Sequence, residues 1–181
     1  GTFGQVEEGQ MTLVETMDDV HNLAPTNPDE LAFLTQTTLS VDDTRAIVEE
    51  LQARFPNIVG PKGEDICYAT SNRQDAVKKI AADSELVLVI GAPNSSNSLR
   101  LVEVAEREGS ASHLIQRADE IDLAWLDGVE TLGLTAGASA PEILVREVIL
   151  KLEENFEVTQ TKVKTTDEKM IFKLPRGLEA V

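Results

Sequence analysis

Four times this chain passes from a short apolar stretch, through a turn rich in Ser, Thr and Asn, into an amphipathic stretch. The turns lie at residues 35–40, 67–72, 91–98 and 135–139. Alternating strand and helix signals of this kind predict an α/β fold built from parallel βαβ units. Right-handed crossovers place all such turns of one sheet at its carboxyl edge. Open α/β sheets bind their ligands at that edge. Hydroxyl and amide side chains from distant turns are thereby expected to converge.

The richest of the four turns follows the apolar run Leu86-Val-Leu-Val-Ile90 and precedes a helical pattern over 99–108. One Ser is enough to cap a helix. Ser95, Ser96, Asn97 and Ser98 together exceed that need. A helix amino end carries unpaired N–H groups and partial positive charge, so the surplus donors suit an oxyanion. A neutral hydrogen bond contributes about 1 kcal/mol and one to a charged group about 1.5–3 kcal/mol. Three or four such bonds, added to the helix ends, suffice for micromolar binding of a diphosphate without Lys or Arg. The competing reading is four capped helices with no ligand.

The remaining pattern is read in order. Residues 11–16 alternate as a strand, 18–23 suit a short helix, and Pro25 and Pro28 make the next stretch a loop. Residues 31–34 read as a strand and 41–55 as a helix, with Ser40 as N-cap and Asp42 and Asp43 in its first turn. A short apolar segment at 65–70 leads to a helix over 75–82. Residues 113–115 and 131–134 predict strands, 118–126 a short helix, and 142–154 a helix with Pro141 at its start. The tail predicts two strands, 158–163 and 169–174, as an edge hairpin.

Composition then narrows the function. A net charge of -16 offers no basic stripe for nucleic acid and disfavours anionic membrane surfaces. No apolar run approaches the roughly 20 residues of a spanning helix, so a cytoplasmic protein is expected. Cys67 is the single cysteine, which rules out an internal disulfide, and with only His21 and His113 it makes no recognisable zinc site. As a residue type Cys67 is more simply a small buried apolar side chain, and no His is near it in sequence to act as a base. His21 and His113 read as surface or loop residues, Tyr68 and Trp125 as packing residues. Neither GxxxxGK[ST] nor GxGxxG occurs, so no motif supports a nucleotide.

Four segments carry a resemblance. Thr35-Gln-Thr-Thr-Leu-Ser-Val-Asp-Asp-Thr44, Asp65-Ile-Cys-Tyr-Ala-Thr70 with Asn72-Arg-Gln74, Asn94-Ser-Ser-Asn-Ser98 and Thr135-Ala-Gly-Ala-Ser-Ala-Pro141 resemble the 4-hydroxy-3-methylbut-2-enyl diphosphate reductases. The resemblance implies a cloverleaf of three α/β lobes around a central [4Fe-4S] cluster, held by three cysteines with one iron open to substrate. It implies that Cys67 is one of those ligands. Ser95, Ser96, Asn97 and Ser139 match the residues that bind the substrate diphosphate, and Thr37 matches a threonine near the substrate's hydroxyl end. The implied reaction is a two-electron reductive removal of that hydroxyl, giving isopentenyl and dimethylallyl diphosphate, with ferredoxin or flavodoxin as electron donor.

The family's other two cluster cysteines, its pocket histidines and its acidic proton donor have no counterpart here, so no catalytic residue is expected in this chain. Gly1-Thr-Phe-Gly4 reads as the start of a carboxyl-terminal part of such an enzyme. The expected organisation is the latter part of one lobe at 1–64, a complete lobe at 65–155 and a tail at 156–181. Such a chain is expected to be catalytically silent by itself. The alternative is a non-catalytic diphosphate-binding module, and weaker still a periplasmic-type small-ligand binder.

Overall fold

The computed structural model describes residues 2–62 and 65–166. Its centre is β1 (Leu86–Ile90), in which all five residues are buried. A continuous apolar run is what a strand covered on both faces requires. β2 (Ala111–Ile115) and β3 (Leu132–Ala136) flank it, both parallel, in the order β2-β1-β3. The register pairs Ile90 with Ile115 on one side and with Ala136 on the other.

Side chains of β1 alternate between two cores, as the period of a strand dictates. Val87 and Val89 pack with Val77 and Ala81 of α3 (Tyr68–Ala82) and with Leu101, Val104 and Ala105 of α4 (Ser96–Arg107). Leu86, Leu88 and Ile90 pack on the other face with Ile115, Ile121, Leu126 and with Val148 and Leu152 of α5 (Glu142–Glu153). The predicted α/β fold with a parallel sheet is therefore what forms. α4 connects β1 to β2. The connection from β2 to β3 passes over β1 through two 3-10 turns, Ala118–Glu120 and Leu123–Leu126.

A smaller core lies ahead of the sheet. Val20 of α1 (Met17–Asn22) packs against Leu51 of α2 (Val41–Arg54) and Phe55. Residues 31–34, expected as a strand, form only the single parallel bridge of Ala32 to Val59. Residues 11–16 and 158–163, also expected as strands, have no strand partner and run without regular pairing. Alternation alone does not hold a strand, because its stability comes from hydrogen-bonded neighbours. The second expected tail strand, 169–174, lies outside the described residues. The helix expected over 118–126 is split because the Asp122 carboxylate accepts from Ala124 N–H at 2.9 Å and starts a fresh turn. The helix expected over 75–82 begins earlier, at Tyr68, so most of the 67–72 stretch read as a turn is its first turns.

Several side chains brace the smaller core to the sheet unit. Gln74 of α3 is 1% exposed. Its Oε1 accepts from Val41 N–H at 3.0 Å and its Nε2 donates to Leu39 C=O at 2.9 Å. The amide thus stands in for a backbone partner and satisfies two groups that would otherwise be buried unpaired. Arg107 at the end of α4 donates to the Asp43 carboxylate in the first turn of α2 at 2.8 Å. That hydrogen bond holds the Asp43 carboxyl below the usual carboxylate range and pushes Arg107 up. Both side chains are about half exposed, so the pair contributes less than about 1 kcal/mol.

Candidate functional site

The four hydroxyl-rich turns meet in two pairs. The first pair joins 35–40 to the start of α3. Cys67 N–H donates to Thr37 C=O at 3.2 Å, and Thr35 N–H donates to the Asp65 carboxylate at 2.7 Å. Cys67 is the N-cap of α3 with extended backbone, and its side chain makes no capping bond. Its thiol is exposed, contrary to the buried apolar place expected for a lone cysteine, because it stands at a helix start outside the cores, and Thr37 is exposed too. Tertiary bonds, rather than strand pairing, hold these two residues side by side.

The second pair follows β1 and β3, which are neighbours in the sheet. Their turns therefore leave the same edge. Gly137 N–H donates to Ile90 C=O at 2.8 Å, which continues the ladder one step past the strands. α4 begins at Ser96, three residues earlier than its apolar pattern. Ser95 is its N-cap and accepts from Ser98 N–H at 3.3 Å. Ser96, Asn97 and Ser98 are consequently the first turn of the helix and not a loop. The N–H groups of such a first turn have no carbonyl within their own helix. α5 begins nearby, with Pro141 as its N-cap and no side-chain cap. Two helix amino ends thus stand at one sheet edge, each with partial positive charge.

Burial separates the members of this second pair. Ser96 and Ser139 are exposed, and Ser95 is half-buried. Asn97 is 7% exposed, and both its Oδ1 and Nδ2 are buried without a partner among the described residues. A methyl group placed on Gly137 would stand 3.6 Å from Asn97 Nδ2. The amide is therefore at the joint between the two turns. A buried amide without partners costs about 1–3 kcal/mol, which sets Asn97 apart from an ordinary first-turn residue.

α3 connects the two pairs. It starts beside Thr37 at Cys67, and its second turn reaches β3, where Asn72, Arg73 and Ala76 line a cavity of about 240 Å³ with Thr135. Gln74, Ser98, Gly91 and Gly137 all lie in segments that the sequence singles out, but not in the roles they take here: Gln74 bonds across to residues 39 and 41, and the two glycines leave space for Ser98. Their partners are distant in sequence, so no local pattern marks them.

The other singled-out residues take structural places. His113 lies in β2, the strand expected over 113–115, and stacks on Trp125 with ring centroids 4.0 Å apart. His21 is on α1, exposed, with Nε2 2.9 Å from Glu50. No group of three or more His, Cys, Asp or Glu able to hold a metal occurs among the described residues. No helix among them is long and apolar enough to cross a membrane.

Residues 1–153 match the family described as LytB protein. Over 179 residues the chain is 60% identical to the 4-hydroxy-3-methylbut-2-enyl diphosphate reductase of Ruegeria pomeroyi, covering 98% of this chain and 57% of that protein. It is 56% identical over 178 residues to the reductase of the same name from Phenylobacterium zucineum, again 98% of this chain and 57% of the relative. The chain thus spans a little over half the length of these curated relatives. The structure resembles that of the E-1-hydroxy-2-methyl-but-2-enyl-4-diphosphate reductase from Plasmodium falciparum with a TM-score of 0.74 and 31% identity, covering 85% of this chain and 51% of that one.

Proposed function

The chain belongs to the LytB protein family, and from that premise we propose that it carries the diphosphate-binding portion of a 4-hydroxy-3-methylbut-2-enyl diphosphate reductase. The observation that carries the proposal is the unpartnered amide of Asn97, buried in the first turn of α4 beside the turn that leads into α5. A diphosphate placed there accepts from the Ser95, Ser96 and Ser139 hydroxyls, from Asn97 Nδ2 and from the first-turn N–H groups of α4. Bonds to a charged acceptor contribute about 1.5–3 kcal/mol each. Thr37 and Cys67, joined by their backbone bond, line the end of the substrate that bears the hydroxyl.

The reaction proposed for the whole protein consumes two electrons and two protons. The carbon–oxygen bond of the allylic hydroxyl breaks, water leaves, and isopentenyl and dimethylallyl diphosphate form. Electrons come from a ferredoxin or flavodoxin. Cys67 is proposed as one ligand of a [4Fe-4S] cluster. Such a cluster takes three or four thiolates, and this chain has one cysteine. The residues present do not hold the cluster by themselves, so its remaining ligands would come from outside these 181 residues. What this chain's own residues do is bind and orient the diphosphate and fix the position of one thiol. In the lobed arrangement proposed for the family, residues 65–155 form one complete lobe and 1–64 the latter part of another.

The test is made in the full-length protein. Ser95→Ala combined with Asn97→Ala is expected to weaken substrate binding about 100-fold or more, from the loss of two bonds to a charged acceptor. The absorbance spectrum of the cluster is expected to stay as in the wild type. Cys67→Ser is expected to do the reverse, losing the cluster spectrum. Unchanged substrate affinity in the double variant would contradict the assignment of the anion site.

A further inference from the structure

Ser98 has no capping role, because Ser95 already caps α4. Yet Ser98 is 0% exposed, in the same first turn of α4 as Ser96 and Asn97. Two glycines make room for it. A methyl group on Gly91 would stand 2.5 Å from Ser98 Cβ, and one on Gly137 would stand 3.5 Å from the same atom, each lying closer still to Oγ. The Ser98 hydroxyl is therefore wedged between the turn after β1 and the turn after β3.

The hydrogen bonds of that hydroxyl fix what Ser95 can do. Ser98 Oγ lies 3.1 Å from Ser95 Oγ, which is its one hydrogen-bond partner among the described residues. A buried hydroxyl keeps its proton paired, so Ser98 is the donor. Ser98 N–H also donates to Ser95 Oγ, at 3.3 Å. A serine hydroxyl has one proton and two acceptor sites. Both acceptor sites of Ser95 are filled from Ser98, and Ser95 is the half-buried member of the pair. Its proton is all that it has left to present outward.

We propose that Ser98 is a positioning residue that turns Ser95 into an obligate hydrogen-bond donor, so that the site selects a fully ionised phosphoryl oxygen. This rests on the diphosphate reading given above and deepens it. Chained donors polarise one another, so the Ser95 proton is also made a better donor. A ligand with a hydroxyl or amide that must donate at this point meets a filled acceptor and is rejected. Gly91 and Gly137 serve the same arrangement by leaving the Ser98 side chain its place.

The experiment is a double-mutant cycle in the full-length protein, titrated with inorganic diphosphate by calorimetry, with melting temperatures recorded alongside. Ser98→Ala is expected to weaken diphosphate binding about three- to tenfold, the worth of one neutral bond. Ser95→Ala is expected to weaken it more. The double variant is expected to bind no more weakly than Ser95→Ala, because Ser98 acts only through Ser95. Losses that add in the double variant overturn the proposal, since Ser98 then acts independently. So does wild-type affinity in Ser98→Ala, even with a lowered melting temperature, because its role is then only structural. A wild type that ignores diphosphate, or a Ser95→Ala variant that binds it normally, overturns the anion-site reading itself and takes the role of Ser98 with it.

Discussion

Gly91→Ala is expected to lower diphosphate affinity about 100-fold or more while the sheet stays folded. Gly91 is buried immediately after β1, and its N–H donates to Ile115 C=O at 2.9 Å. Its backbone is not in the left-handed region, so what the position demands is space. The added methyl would stand 2.5 Å from Ser98 Cβ. Real side chains do not approach that closely, and Ser98 is fixed in the first turn of α4. The helix start must move, carrying Ser95, Ser96 and Asn97 with it. Overpacking of this kind costs about 1–3 kcal/mol in stability. The affinity loss is larger in consequence, because several bonds to a charged acceptor fail together, each about 1.5–3 kcal/mol. Calorimetric titration and a melting curve on the same sample separate the two effects. Wild-type affinity in this variant would show that the helix start does not form the site.

Leu88→Ala is expected to cost about 3–4 kcal/mol of folding stability, within the range for large-to-small core changes. Leu88 is the midpoint of β1 and fully buried between two flanking strands and the α5 layer. Domains of this size are stable by only about 5–15 kcal/mol, so the variant loses a large share of that margin. Leu150→Ala is the control. Leu150 lies on α5 but is 60% exposed, and its loss is expected within about 0.5 kcal/mol. Chemical denaturation midpoints compare the two directly. Equal effects would mean that the sheet's two-sided core is wrongly placed.

The parts of the fold that local pattern decides were legible from residues alone. The run at 86–90 is apolar at every position and becomes the strand buried on both faces. Ser40 with Asp42 and Asp43 announces the start of α2, and that helix begins at Val41. Where partners are distant, the pattern misled. Residues 11–16 alternate like a strand and 31–34 form a short apolar run, but they find at most one bridging residue. Tyr68, Ala69 and Thr70 read as part of the turn before a helix, yet they open α3, because the Cys67 backbone is held by Thr37 and the helix is anchored by Gln74.

The same division runs through the candidate site. Ser95, Ser96 and Asn97 stand out by residue type on a strand-to-helix turn. What makes Asn97 unusual is its burial without partners among the described residues, beside Gly137 of the 135–139 turn. Ser98 is the clearest case. By type it is one more serine in a polar turn. Its role depends on two glycines 7 residues before and 39 residues after it, separations read from the numbering, and no local periodicity encodes a vacancy of that kind. Cys67 stands at the amino end of α3 with an exposed thiol, and its proposed ligand role comes from family membership and not from any donor cluster within the described residues.

The central claim is that a diphosphate docks at the first turn of α4, beside the turn that leads into α5. An inorganic diphosphate titration of isotope-labelled protein, followed at individual backbone amides by NMR, tests it most directly. The expected result is saturable shifts concentrated at Ser96, Asn97 and Ser139, with one common affinity. Shifts confined to other surfaces, such as the cavity beside Arg73 and Thr135, or no saturable shift at all, would contradict it.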